Sequence, residues 1–143
     1  GAALAGIEVA QIEAPPGTPL ARIAVEVRNE LTQGLTGGGA ARPPTHRLTI
    51  NLRTGGSSLI VDPTTARPEF EIVSLDADYR LVEIASSKPV LDGSATARVS
   101  YDIPGQQQRL GALRGQRDAQ SRAAVLIAEQ IRARLASYFA AGG

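Results

Sequence analysis

Residues 69–103 read EFEIVSLDADYRLVEIASSKPVLDGSATARVSYDI, and the way this run divides decides the fold. Apolar and polar residues alternate with a period of two, the spacing of a strand whose successive side chains point to opposite faces. Val73, Leu75, Ala77, Tyr79 and Leu81 share one face, and Ala95, Ala97, Val99, Tyr101 and Ile103 share the matching face of a second strand. SSKP lies between them as turn material, so the pattern predicts a hairpin of two long strands, 69–85 and about 90–103. Val82 and Ile84 fall out of phase, which predicts a bulge nearby.

Upstream, HRLTINLR repeats the alternation. Leu48, Ile50 and Leu52 lie on one face, with Arg47, Thr49, Asn51 and Arg53 on the other. GGSS breaks the run and SLIVD reads as its short continuation. IEVAQI, residues 7–12, is a first strand. Between it and HRLTINLR, Thr18 is placed as a helix N-cap with Pro19 as first helical residue. The helix carries Leu20, Ile23, Ala24, Val27 and Leu31 on one stripe, and Gly34 is its expected C-cap. GLTGGGAARPP then reads as a flexible loop, about 35–45. At the other end a long helix is expected at about 109–140, with Ala124, Ile127, Ala128, Ile131, Leu135 and Tyr138 as its stripe. Gly111 and Gly115 favour a loop in its first turns.

The order is β-α-β-β-β-α. A crossover through the first helix makes the first two strands parallel, and the remaining strands form an antiparallel meander. The expected fold is α/β of the α+β kind: residues 1–143 form a single domain, a two-layer sandwich in which both helices cover one face of a four-stranded mixed sheet. Arg47, Asn51, Arg80, Arg98 and Ser100 should lie on the uncovered, polar face.

Composition limits the function. Fifteen basic residues stand against fourteen acidic ones in 143, so net charge gives no reason to expect nucleic acid. Lys88 is the one lysine; the other basic residues are arginines, whose planar forks suit phosphate and carboxylate, although a coding bias yields the same usage. With no cysteine, thiol and disulfide chemistry are excluded. No apolar run approaches the ~20 residues of a membrane-spanning helix. The chain opens at Gly1 with no initiator methionine, which leaves room for a removed leader.

Catalysis finds little support. Asp76 and Asp78 in DADYRL project from the same side of a strand, ~7 Å apart, and read as solvated carboxylates among arginines. A metal would want further ligands, and the single histidine, His46, has no cluster around it. Ser57 and Ser58 sit in a Gly-Ser turn without triad partners, and TGGGAAR lacks the lysine of a phosphate-binding loop. Tyr79 belongs to the apolar set, with its hydroxyl at an edge. No catalytic, cofactor-binding or metal-binding residues are expected.

The Thr-Pro-capped helix, HRLTINL, TTAR, LDADYRL, VLDGSATARVSYDI and RDAQSRAAVLIAEQIRARLASYF, in that order, resemble the LptE family of lipopolysaccharide-assembly lipoproteins. The resemblance implies a non-enzymatic protein at the periplasmic face of the outer membrane, plugging an LptD-like β-barrel and assisting lipopolysaccharide transport. It also implies attachment through a lipidated N-terminal cysteine, which this chain lacks. The family's basic lipopolysaccharide-binding positions match Arg67 in TTARP and Arg114 in ALRGQRD. Two other readings stay open: a periplasmic module binding a small anion on the arginine-bearing sheet face, and an auxiliary lipoprotein of another envelope transporter.

Overall fold

The computed structural model describes residues 2–55, 58–61, 68–102 and 109–142. A short helix α1 (Ala2–Ala5), not foreseen from the sequence, leads into strand β1 (Ile7–Val9). Helix α2 (Pro19–Thr36), β2 (His46–Thr54), β3 (Ser58–Val61), β4 (Pro68–Glu83), β5 (Lys88–Asp102) and helix α3 (Arg109–Ala140) follow. β1 pairs with β2 in parallel and the other pairings are antiparallel. β2 and β3 share one edge of β4, at residues 75–83 and 68–72, so β3 prolongs the line of β2. The sheet is therefore four strands wide, β1-β2-β4-β5.

The period-two pattern becomes burial directly. Leu48, Ile50 and Leu52 of β2, Leu75, Ala77, Tyr79 and Leu81 of β4, and Ala95, Ala97, Val99 and Tyr101 of β5 are buried, with Val73 half-buried. Arg47, Asn51, Arg80, Arg98 and Ser100 are exposed. Both helices lie on the apolar side: Ile23, Val27 and Leu31 of α2, with Ile127, Ile131 and Leu135 of α3, close one core against the strands. The bulge falls where the phase slips: Leu81 faces Leu91 but Val82 faces Pro89, leaving Val90 without a partner. Ile103 lies outside the described residues.

Three glycines mislead a sequence reading. α2 does not stop at Gly34: Leu35 is buried within it, and Gly37, in the left-handed region at φ 66°, is the C-cap. The loop expected from 35 therefore begins after Thr36. Gly34 serves helix packing instead, since a Cβ there would stand 3.0 Å from Arg132 Cδ on α3. Likewise α3 is helical from Arg109, through Gly111 and Gly115. At Gly115 a Cβ would approach the Tyr101 ring to 3.3 Å, so the glycine brings the helix close to β5. A signal read as a helix breaker is a signal of close approach.

The open sheet edges are partly covered by helix side chains. On β5, Gln130 of α3 donates from Nε2 to the Thr96 carbonyl at 2.8 Å and accepts the Thr96 N–H at 3.3 Å, standing in for a neighbouring strand. Arg122 donates to the Ser100 carbonyl at 3.4 Å. On β1, Arg28 of α2 donates to the Val9 carbonyl at 3.1 Å. Edge groups satisfied in this way offer less of a template for stray pairing.

Candidate functional site

DADYRL occupies the centre of β4 and splits between the two layers. Tyr79 points inward, and its ring lies across Gly93, its cross-strand partner; a Cβ at Gly93 would come within 2.4 Å of the phenol. Burial raises the Tyr79 pKa, opposed by the charge of Arg134. Asp76, Asp78 and Arg80 belong to the outer face.

On that face charges meet charges across the strands. Arg47 donates to Glu8 at 3.1 Å between β2 and β1, Arg80 to Asp92 at 2.7 Å between β4 and β5, and Arg53 to Asp78 between β2 and β4. Asp76 accepts from the Thr96 hydroxyl at 2.8 Å. The bond to Asp78, then its charge, raises the Arg53 pKa. The two aspartates thus belong to separate contacts. Among the described residues no three His, Cys, Asp or Glu side chains converge as metal ligands. A shallow depression of about 450 Å³ lies over Thr49, Asn51, Asp78, Arg80 and Asp92.

The expected lipopolysaccharide contacts fare differently. Arg67 lies outside the described residues. Arg114 is exposed but stands on α3 and not in a loop, because the helix begins five residues earlier. Three residues further along α3, Arg117 lines a cleft together with Arg22 of α2 and the nearly buried Gln120. Arg22 donates to Gln120 Oε1 and lies 3.7 Å from Glu26, which also accepts from Ser121 at 3.1 Å. The sequence reading missed this group; the signal was Leu113, Gln116, Arg117 and Gln120 at spacings of three and four on one helix face.

At the far end of the sheet Tyr101 donates to Glu71 Oε2 at 2.6 Å. Burial, and then the Glu71 bond and charge, hold its hydroxyl well above the usual phenol range. No helix among the described residues is long and apolar enough to cross a membrane.

Comparison with known proteins adds the following. The family model described as "LptE: Lipopolysaccharide-assembly" matches residues 4–135. No curated protein matches the sequence. Among solved structures, a protein from Caulobacter crescentus CB15 described as a lipoprotein superposes with a TM-score of 0.73 at 22% identity, over 96% of this chain and 93% of that one. Rare lipoprotein B from Shewanella oneidensis gives 0.63 at 12%, over 94% and 95%. A minor lipoprotein from Acinetobacter baumannii gives 0.52 at 16%, over 92% and 95%. At these identities the likeness is one of fold.

Proposed function

Because the chain belongs to the LptE lipopolysaccharide-assembly family, we propose that it acts as a non-enzymatic partner of an LptD-like outer-membrane β-barrel in lipopolysaccharide transport. The observation that carries the barrel partnership is the uncovered sheet face, whose ion pairs Glu8–Arg47, Arg53–Asp78 and Arg80–Asp92 leave it polar and largely neutralised. The interior of a large barrel is polar and wet, and such a face can sit against it while burying little unpaired charge. Attachment at the periplasmic side of the outer membrane, through a lipid anchor outside this sequence, is supported by the lipoprotein descriptions of its structural neighbours. Contacts to lipopolysaccharide phosphates fall to Arg67 and Arg114 in this reading, as guanidinium forks. An anion site on the sheet face is disfavoured at Arg47, Arg53 and Arg80, which already hold carboxylates; Arg98 on the same face has no ion pair among the described residues.

Co-purification from membranes tests the reading. The chain should bring down a large outer-membrane β-barrel protein; recovery of another envelope transporter instead would assign it to that system. Arg67→Asp together with Arg114→Asp should weaken lipopolysaccharide binding about tenfold, with the thermal transition unchanged. Arg47→Asp should matter less.

A further inference from the structure

Two grooves meet at the first turns of α2. One, of about 600 Å³, runs between α2 and α3 over Arg22, Val25, Leu113, Arg117 and Gln120. The other, of about 250 Å³, opens beyond the same ridge among Ile12, Ala14, Pro16 and Ala24. Ala21 and Val25 wall both. Val25 is 58% exposed and Leu113 is 55% exposed, more than any other large apolar side chain described. Contiguous exposed apolar patches rimmed by polar residues mark interaction sites, whereas single exposed apolar residues do not, and here two such side chains share one groove.

The polar end is unusual in what it lacks. No carboxylate lines either groove, although Glu26 of α2 stands 3.7 Å from Arg22, and Arg117 has no ion pair among the described residues. Gln120 is only 7% exposed. Its Oε1 accepts from Arg22, while its Nε2 donates to no protein group among the described residues. Among the described residues no fully buried side-chain nitrogen or oxygen lacks a partner, so Nε2 keeps some access to solvent, and Gln120 lines the cleft. The first turn of α2 adds little: Pro19 has no N–H, and the Ala21 N–H is taken by Thr18 Oγ1. The donors are therefore two guanidinium groups and one amide, beside an apolar path leading away.

We infer that this cleft binds an anionic amphiphile with a phosphate head and a single alkyl chain. Arg22, Arg117 and Gln120 Nε2 hold the head, and the chain lies over Leu113 and Val25 toward Ala14 and Pro16. Three donor groups lining one cleft suit the three free oxygens of a phosphate monoester better than the two of a carboxylate. The inference goes beyond the assembly reading, for it uses neither Arg67 nor Arg114 and needs no barrel.

Calorimetric titration of the chain with dodecyl phosphate, kept below its micelle concentration, tests it against inorganic phosphate and dodecyl maltoside. Each methylene removed from water is worth about fourfold in affinity, so dodecyl phosphate should bind at least tenfold more tightly than inorganic phosphate. Arg117→Gln should weaken dodecyl phosphate about tenfold. Leu113→Ser should weaken it several-fold and leave inorganic phosphate unchanged, and Arg98→Gln, on the exposed sheet face, should alter neither. Equal affinity for dodecyl phosphate and inorganic phosphate would overturn the inference, as would equal binding of uncharged dodecyl maltoside. So would an Arg117→Gln chain with an unchanged circular dichroism spectrum and unchanged affinity. A chain that binds dodecyl phosphate as expected but brings down no barrel keeps the inference and loses the assembly reading.

Discussion

The outer sheet face and the α2–α3 cleft both display arginines, but their surroundings differ. On the sheet, Arg47, Arg53 and Arg80 each reach a carboxylate on a neighbouring strand, and Arg98 alone of the sheet-face arginines named above does not. In the cleft, Arg117 has no such partner and the most exposed apolar side chains lie alongside. The sheet is a surface made neutral in place, suited to lie against other polar surface; the cleft is left for something anionic and apolar to complete. Arginine content alone would rank them the other way, since more arginines sit on the sheet.

The comparison holds only if both surfaces rest on one core that neither of them stabilises much. Ile127 is fully buried between the layers, so Ile127→Ala should cost ~2–5 kcal/mol in chemical denaturation. Gly93→Ala should come next: the new methyl collides with the Tyr79 ring, and displacing a well-packed aromatic costs ~1–3 kcal/mol. A smaller effect should appear with pH. The fold holds the Tyr101 proton more tightly than the unfolded chain does, so the stability from this group is whole below the ordinary phenol pKa of ~10 and falls as pH rises beyond it. Denaturation across that range should show a shallower alkaline decline for Tyr101→Phe, with Tyr79 supplying a residual slope of the same sign.

The sheet face itself should be the least sensitive. Asp78→Asn removes the partner of Arg53 in an exposed pair and should cost ~0.2–1 kcal/mol, less in high salt. Asp76→Asn and Arg132→Ala should stay within about 0.5 kcal/mol. If an asparagine at either aspartate abolished cellular function in a folded chain, the face would have to be reread as a chemical site.

The sheet was legible because each strand alternates cleanly and a strand side chain has only two directions to choose from. Even the bulge showed, as Val82 falling out of phase. The helix ends were harder to read. Gly34, Gly111 and Gly115 look like breakers, and two of them mark where a side chain on another element approaches; no single-element pattern contains that information. The cleft was hidden for a related reason. Arg22 and Gln120 are 98 positions apart in sequence, and only the packing of α2 on α3 makes them neighbours. The stripe Leu113, Gln116, Arg117, Gln120 was visible, but the expectation of a loop at the start of α3 concealed its regularity.

The docking of the sheet face against a barrel is tested most directly by a photo-reactive residue placed in cells at Asn51, exposed at the centre of β2. Illumination should join the chain to a large outer-membrane β-barrel protein. A folded chain that forms no such adduct at Asn51, while the same group at Glu129 on the exposed side of α3 does, would contradict the account and turn the molecule around in its complex.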